Sequence, residues 1–199
     1  MRVALVDAGG ANIGSVRGAL RRLGVEAELT GDAAVIEAAD RVILPGVSTA
    51  ATVMRRLHAL ALVDTLRNLR QPLLGVCVGM QLLFEHSEED DTPCLGLLPG
   101  RVSRLQADER IRVPHMGWSR LRLRGGDPLL AGFTEDDYAY YVHSYAAPAG
   151  ADCIASSVHG REFAAVVRRG NVAGAQFHPE RSASAGERLL RNFLSMEHA

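Results

Sequence analysis

The sequence predicts an α/β fold in which a central, largely parallel sheet is flanked by helices and the second half is rich in antiparallel strands. In the first half, short and almost wholly apolar segments alternate with amphipathic helical segments, as in parallel sheets that are covered on both faces. After about Ser87, strand-like segments follow one another with little helix between them. The length of 199 residues suits one compact domain.

Hydrophobic periodicity locates the elements of the first half. The predicted strands are residues 2–7, 25–29, 41–44 and 73–76. Residues 15–23 have helical spacing and precede Gly24, a typical helix stop, and a helical pattern returns through residues 50–69. This alternation of strand and helix predicts the parallel half of the sheet.

The second half begins with an acidic stretch, residues 88–91, which we expect to be an exposed loop. The strand-like segments that follow are residues 112–116, 120–124, 138–144, 153–157, 164–168 and 172–177. A final helix is expected at residues 185–194. Because no Gly/Ser/Pro-rich linker or internal repeat divides the chain, we predict a single domain over residues 1–199.

The charged residues exclude several classes of protein. The 22 basic and 23 acidic residues nearly balance, which gives no indication of a nucleic-acid or membrane-surface partner. Every basic residue is an arginine. A chain without lysine cannot form a Schiff base, hold pyridoxal phosphate as an aldimine, or supply the lysine of a phosphate-binding Walker loop.

The cysteines and the first residues of the sequence indicate a cellular compartment. Cys77, Cys94 and Cys153 form no CxxC pair and predict free thiols in a reducing environment. The opening segment lacks the long apolar stretch and cleavage site of a signal peptide. No apolar run approaches the roughly 20 residues that span a bilayer. We therefore expect a cytoplasmic protein.

The strongest local pattern is Gly75-Val76-Cys77-Val78-Gly79, which lies between an apolar strand and the helical segment MQLLF. It matches the nucleophile elbow, a sharp strand-to-helix turn with a nucleophile between two glycines. A side chain at either glycine would collide with the neighbouring strand or helix. The turn would project Cys77 at the carboxyl edge of the sheet and aim the Val78 N–H at a developing oxyanion. The alternative is a buried structural cysteine.

A cysteine nucleophile needs a base, and the base needs an orienting group. Among the 7 histidines, His178 is distinctive because it ends an apolar strand and precedes Pro179, which keeps it extended. Residues two apart on an extended backbone point to the same face, so Glu180 is expected to reach the His178 imidazole. We predict Cys77, His178 and Glu180 as nucleophile, base and orienter. A surface turn with a casual His–Glu contact is the alternative.

Two segments, GVCVGMQLL and GAQFHPERS, resemble the signature segments of class I glutamine amidotransferases, the triad-type glutaminases. Further similar segments run from VDAGGANIGSV near the start to GERLLRNF near the end, so the resemblance covers essentially the whole chain. Within the class, PHMGW and VHSY are similar to the glutaminase subunits of imidazole glycerol phosphate synthases.

This resemblance implies a reaction and roles for individual residues. Cys77 would attack the side-chain amide of L-glutamine and form a γ-glutamyl thioester, while His178, held by Glu180, would protonate the leaving ammonia. The ammonia would pass to a cyclase subunit, in a heterodimer, that makes imidazole glycerol phosphate and aminoimidazole carboxamide ribotide in histidine biosynthesis. No cofactor is implied. The other implied residues are Gly46, Val47 and Val78 in an oxyanion hole, and Gly79, Gln81, Ser144 and Tyr145 at the substrate.

The resemblance also implies a cyclase-binding surface, made of Asn12, His115, Met116, Trp118, Ser119 and Arg181. Trp, Met and Arg are residue types that interface cores favour. Nearby, Arg120, Arg122 and Arg124 alternate with leucines, so one side of that strand is predicted to be basic. A basic face of this kind suits an acidic partner surface, and a solvated strand face is the alternative.

The chain departs from the family pattern at three places. Where PGVG is usual, this chain has Pro45-Gly46-Val47-Ser48. If that position needs a positive φ for a peptide flip, Ser48 makes the flip costlier. The usual aromatic residue and glycine before Asn12 are missing, and Ser119 stands where PHMGW is usually followed by asparagine.

The residues do not match two other kinds of site, but they leave three other functions open. Residues 9–14 do not fit the G-x-G-x-x-G dinucleotide fingerprint, and no His/Cys/Asp/Glu cluster has metal-ligand spacing, so we expect no metal. The functions left open are a glutaminase subunit of another synthase, such as that of vitamin B6, a peptidase with the same elbow, and a catalytically silent regulatory subunit with this fold.

Overall fold

The computed structural model describes residues 1–9 and 13–196, so the predicted interface residue Asn12 lies outside the described residues. The helices are α1 (Ile13–Arg22), α2 (Ala33–Glu37), α3 (Ala50–Ala59), α4 (Val63–Arg67), α5 (Val78–Gln81) and α6 (Ala183–Leu194). The strands are β1 (Val3–Val6), β2 (Ala27–Thr30), β3 (Arg41–Gly46), β4 (Leu73–Cys77), β5 (His86–Ser87), β6 (Thr92–Pro93), β7 (Arg101–Arg104), β8 (His115–Arg120), β9 (Arg122–Leu123), β10 (Tyr138–His143), β11 (Tyr145–Ala146), β12 (Cys153–His159), β13 (Arg161–Arg169) and β14 (Val172–Ala175).

The main sheet has eight strands in the order β2-β1-β3-β4-β14-β13-β12-β9. Strands β2, β1, β3, β4 and β14 pair in parallel, and β14, β13, β12 and β9 pair antiparallel. Each residue of β1, β3, β4 and β14 is buried, which explains why these segments read as continuous apolar runs. The predicted fold class is therefore confirmed.

Helices cover this sheet with their apolar faces. Helix α1 buries Val16, Ala19 and Leu20 and ends before Gly24, whose φ of 78° is a conformation that glycine adopts readily. Helix α6 buries a longer apolar stripe that includes Leu189 and Phe193. Within the described part of the chain, each helix is too short or too polar to traverse a lipid bilayer.

Two smaller sheets lie beyond the main one. Strands β8 and β10 form an antiparallel ribbon, and β11, β7, β5 and β6 form a four-stranded sheet. The ribbon pairs His143 with His115 and Tyr140 with Trp118. It supplies one wall of the candidate site described below.

Several predicted bounds were wrong. The helical stretch 50–69 is two helices because Ala61 adopts a φ of 54° between them. The strand predicted at 112–116 begins only at His115, since Pro114 has no N–H to donate to a sheet ladder. Helix α2 and strands β5, β6, β7 and β11 were not predicted. They have five residues or fewer, too few to establish a period.

Candidate active site

Cys77 stands at the sharp turn between β4 and α5. Its backbone has φ 55° and ψ −112°, a sparsely populated conformation for a residue with a side chain. A Cβ on Gly75 would lie 2.6 Å from the Gly79 carbonyl oxygen, and a Cβ on Gly79 would overlap the Leu44 carbonyl oxygen. Both glycines are therefore required by close packing. The following helix is only one turn, shorter than the apolar segment MQLLF suggested.

His178 follows β14 and meets Glu180 as predicted, although the local backbone differs. His178 Nδ1 lies 2.9 Å from Glu180 Oε1, and the side chains are 8% and 1% exposed. His178 is extended, with φ −93° and ψ 100°, but Glu180 lies in a 3-10 turn formed by residues Pro179–Arg181. The contact was thus predicted correctly from an extended-strand argument that does not hold for Glu180.

Sheet register brings Cys77 and His178 to the same edge. Strand β14 pairs in parallel with β4, with Ala175 opposite Val76, so the residues that follow both strands emerge side by side. The Gln176 side-chain amide points at Cys77, with Nε2 3.9 Å from Sγ. Cys77 Sγ also lies 3.9 Å from the Val142 carbonyl oxygen on β10.

The electrostatics of His178 favour a protonated ring. Burial lowers the pKa of His178, but a hydrogen bond with Cys77 and another with Glu180, together with the charges of both groups, outweigh it and raise the pKa to about 10. An imidazolium held between a sulfur and a carboxylate can stabilise a thiolate nucleophile and later release its proton.

A cavity of about 290 Å³ opens beside Cys77. Its lining residues are Ser48, Cys77, Val78, Gln81, Glu89, Pro114, Val142, His143, Ser144 and Tyr145. It therefore brings together the predicted nucleophile, one predicted oxyanion donor and three of the four predicted substrate residues. The fourth, Gly79, is buried outside the cavity lining, and a side chain there would overlap the Leu44 carbonyl oxygen, so close packing requires a glycine.

Glu89 was missed by the sequence reasoning. The acidic stretch was predicted to be an exposed loop, yet Glu89 is half-buried, and its Oε2 accepts a hydrogen bond of 2.7 Å from the Ala50 N–H. Burial raises the pKa of Glu89, the Ala50 hydrogen bond opposes this, and the Asp90 charge adds to it. The partner of Glu89 lies 39 residues away, so no local pattern signals this contact.

Comparison with known proteins decides the family. The model for glutamine amidotransferase class-I matches residues 4–196. The chain belongs to this family. It is 59% identical over 197 residues to a protein of Xylella fastidiosa (strain Temecula1) named imidazole glycerol phosphate synthase subunit HisH, covering 99% of this chain and 98% of the relative. A HisH of Xanthomonas axonopodis pv. citri is 59% identical over 194 residues, covering 98% and 97%.

Solved structures share the fold of this amidotransferase. One is described as a glutamine amidotransferase, with a TM-score of 0.75, 23% identity, and coverage of 98% of this chain and 97% of that one. Another is a putative GMP synthase protein from Thermoplasma acidophilum, with a TM-score of 0.75, 20% identity, and coverage of 98% and 92%. At these identities the likeness establishes the fold alone.

In the amidotransferase, the predicted oxyanion strand lies directly against the elbow. Gly46 is paired with Cys77 across β3 and β4, and a Cβ on Gly46 would come within 2.6 Å of the Gly79 nitrogen. Val47 follows Gly46 but is outside the cavity lining. Ser48 lines the cavity with a positive φ of 158°, which is uncommon for a residue with a side chain.

Met116 and Trp118 of the predicted partner surface lie on one face of the β8–β10 ribbon. Met116 and Trp118 are 64% and 52% exposed, and the exposed Arg181 guanidinium lies 5.1 Å from the ring centre of Tyr140. Tyr138, 47% exposed, was not predicted to belong here. The arginines at 120, 122 and 124 are exposed, whereas Leu121 is buried and Leu123 half-buried, as the alternation predicted.

Two predicted interface residues face the other way. His115 is 3% exposed, so its prediction as a surface anchor was wrong. Ser119 is half-buried, and its Oγ lies 2.9 Å from His115 Nε2. Both point into the protein because strand residues alternate between faces, with Met116 and Trp118 on the opposite one. Among the described residues, no group of three or more His, Cys, Asp or Glu is arranged to hold a metal ion.

Proposed function

We propose that this chain is the glutaminase subunit of an imidazole glycerol phosphate synthase in histidine biosynthesis. It hydrolyses L-glutamine to glutamate and ammonia and delivers the ammonia to a cyclase subunit. The observation that carries the chemistry is the convergence of Cys77, which lines the cavity, with His178 and Glu180. The identity of 59% over almost the whole chain to proteins named as that subunit supports the choice of synthase.

The reaction proceeds in two stages at Cys77. The sulfur attacks the side-chain amide carbon of glutamine, and the C–N bond breaks as His178 gives its proton to the leaving nitrogen, so that ammonia departs and a γ-glutamyl thioester remains. Water then attacks the thioester carbon while His178 accepts its proton. The C–S bond breaks, and glutamate and free Cys77 are regenerated. Glu180 keeps the imidazole oriented and stabilises its protonated form.

Backbone groups supply the stabilisation of the oxyanion. The N–H of Val78 follows the nucleophile and stands at the cavity, as the elbow geometry requires. The Gly46–Val47 segment faces the elbow across β3 and β4 and contributes the second donor. Donors fixed before the reaction act on the developing charge without reorganising.

The cavity also suits the amino-acid end of glutamine. Glu89 places a carboxylate in the lining, which is the charge that an α-ammonium group requires. The backbone of Ser144 and Tyr145 meets the α-amino and α-carboxylate groups of the substrate. Gln81 Nε2 donates to the Tyr145 carbonyl at 2.8 Å and to Gln176 Oε1 at 3.1 Å, so Gln81 acts by holding Tyr145 in place.

The cyclase docks on the exposed Met116 and Trp118 of the β8–β10 ribbon and on Arg181 of the 3-10 turn, whose guanidinium lies over Tyr140 of the ribbon. This face combines large apolar side chains with a guanidinium, which is the composition of interface hot spots. A cytoplasmic location accords with Cys77, Cys94 and Cys153, which are all free thiols.

The test is glutamate release from glutamine by the purified chain, alone and with a cyclase subunit plus its nucleotide ligand. We expect strong stimulation by the partner, abolished in Cys77→Ala. Cys94→Ala is the matched control, because Cys94 is also buried but lies away from the site, where its Sγ donates to the Thr92 carbonyl. High activity without a partner would indicate a self-sufficient glutaminase. Inactivity in a verified complex would indicate a silent regulatory subunit.

A further inference from the structure

Behind the proposed docking face lie histidines that the reaction does not use. His115 and His143 are paired across β8 and β10 and are 3% and 6% exposed. His115 Nδ1 lies 3.0 Å from His143 Nε2. The ring of His159 stacks on that of His115 at 4.1 Å. Because His143 also lines the cavity beside Cys77, the cluster reaches from behind the exposed face of the ribbon to that cavity.

The hydrogen-bond partners at the inner end fix the direction of this contact. His143 Nδ1 lies 2.8 Å from the Tyr145 carbonyl oxygen, and a carbonyl can only accept, so Nδ1 of His143 carries the proton. In a neutral ring the other nitrogen is then an acceptor. His143 Nε2 must accept from His115 Nδ1–H, which leaves His115 Nε2 as an acceptor as well. The Ser119 hydroxyl, 2.9 Å away, must therefore donate to it.

Both rings are in surroundings that favour the neutral form. Burial and, to a smaller extent, the neighbouring His143 and His159 together lower the pKa of His115 to about 3. Burial lowers the pKa of His143 to about 4, with the Tyr145 hydrogen bond opposing it and neighbouring histidines adding to it. The rings pack on Tyr141 and Phe163. In the portion of the chain that the structure describes, neither ring has a hydrogen bond to a carboxylate.

The inner end of this arrangement reaches the substrate residues. The Tyr145 carbonyl that accepts from His143 also accepts from Gln81 Nε2 at 2.8 Å. Its position is therefore set from two sides, by the elbow helix through Gln81 and by the ribbon through His143. The outer end is Ser119, next in the chain to the exposed Trp118.

We propose that Ser119, His115 and His143 form a one-way hydrogen-bond chain that positions the Tyr145 backbone for glutamine. The three are positioning residues, because none donates to the substrate itself. The role of these residues in glutamine binding rests on the proposed function. This series of hydrogen bonds requires a hydrogen-bond donor at position 119. A cluster of side chains that were only packed together would not require one.

The direct test is the imidazole ¹H–¹⁵N spectrum of the full-length ¹⁵N-labelled chain at pH 7.5, with signals assigned by His115→Gln and His143→Gln. We expect both rings to be neutral with the proton on Nδ1. A proton on Nε2 of either neutral ring, or a charged ring, would overturn the proposal. This readout does not depend on glutamine hydrolysis, so it separates failure of the inference from failure of the proposed function.

The functional test compares Ser119→Ala, which removes the donor, with Ser119→Thr, which keeps it. At saturating cyclase we expect Ser119→Ala to raise KM for glutamine about 3- to 10-fold with a smaller change in kcat, and Ser119→Thr to stay within about 2-fold of the parent, as loss of one neutral hydrogen bond suggests. Ser195→Ala, at an exposed serine that bonds only its own helix, is the control. An unchanged KM in Ser119→Ala would refute the positioning role.

Discussion

Two histidines, one in each half of the site, are equally buried, but their pKa values are shifted in opposite directions. His178 and His143 are each 6% exposed, yet the pKa of His178 is raised to about 10 and that of His143 is lowered to about 4. Burial lowers the pKa in both cases. His178 faces the Glu180 carboxylate and the Cys77 sulfur, whereas His143 faces a carbonyl and a neutral ring. The partner, not the burial, decides which ring can move a proton.

The two regions are joined through the backbone of β10. The His178 N–H donates to the Tyr140 carbonyl at 3.0 Å, and the Tyr140 N–H donates to Ser182 Oγ at 2.9 Å. The Ser182 hydroxyl in turn donates to the His178 carbonyl at 2.7 Å. The strand that carries His143 toward the substrate therefore also holds the turn of His178. A movement of the ribbon on docking would act on both rings.

The largest effect is expected from removing the negative charge beside His178, which should reduce the difference in pKa between His178 and His143. Glu180→Gln keeps the shape and an acceptor for Nδ1–H, but it removes the carboxylate that raises the pKa of His178. We expect kcat to fall about 100-fold, within the range for general acid–base groups. We also expect the rate of Cys77 alkylation by iodoacetamide at pH 7 to fall, because less imidazolium is present to stabilise the thiolate.

Glu187→Gln is the matched control for that variant. Glu187 is exposed and pairs with Arg191 on α6, so its neutralisation should leave both kcat and alkylation unchanged. If Glu180→Gln retained the parental kcat and alkylation rate, the carboxylate would not be the group that sets the charge of His178, and the comparison with His143 would lose its cause.

Adding a charge beside His115 is the converse experiment. Ser119→Asp places a carboxylate where the hydroxyl meets His115 Nε2, which reproduces the arrangement of Glu180 and His178. We expect the pKa of His115 to rise by about 1 to 3 units, as for other groups next to an opposite charge. The measurement is an imidazole titration by NMR, with Ser119→Asn as the uncharged control of similar size. A pKa that stays near 3 in a folded Ser119→Asp chain would contradict the argument.

The two regions also differ in how well the sequence predicts them. The elbow and the His178–Glu180 contact depend on residues within a few positions of one another, and the glycines and Pro179 constrain them locally. His115 was assigned to the partner surface from the family resemblance, without reference to which face of its strand it occupies. With the strand at His115–Arg120, alternation alone separates His115 from Met116 and Trp118.

Contacts between distant segments were beyond local reasoning. His115 meets His143 28 residues away, and Glu89 meets Ala50 39 residues away. Neither contact leaves a periodic signal, because each joins elements that lie far apart in the chain, the first by strand pairing and the second by a hydrogen bond between distant segments. The elbow at Cys77 was therefore predictable from pattern, whereas the presence of Glu89 in the cavity lining could be found only from the coordinates.

The smallest expected effect concerns stability against pH, where the two regions should act in opposite directions. The pKa values of His115 and His143 lie below the ordinary 6.5, so the unfolded chain binds more protons, and stability falls as pH falls from 6.5 toward 4. The raised pKa of His178 contributes stability that is present below 6.5 and is lost as pH rises toward 10. Together these histidines favour maximal stability near pH 6.5.

Urea unfolding between pH 5 and 7 measures the acid side of this balance. His115→Gln should reduce the slope of unfolding free energy against pH by up to about 1.4 kcal/mol per pH unit, the contribution of one proton. His58→Gln, at an exposed histidine on α3, should leave the slope unchanged. An equal slope in His115→Gln and the parent would mean that His115 protonates as easily in the folded chain as in the unfolded one. That result would contradict the proposal, because the hydrogen-bond chain requires the folded state to keep His115 neutral.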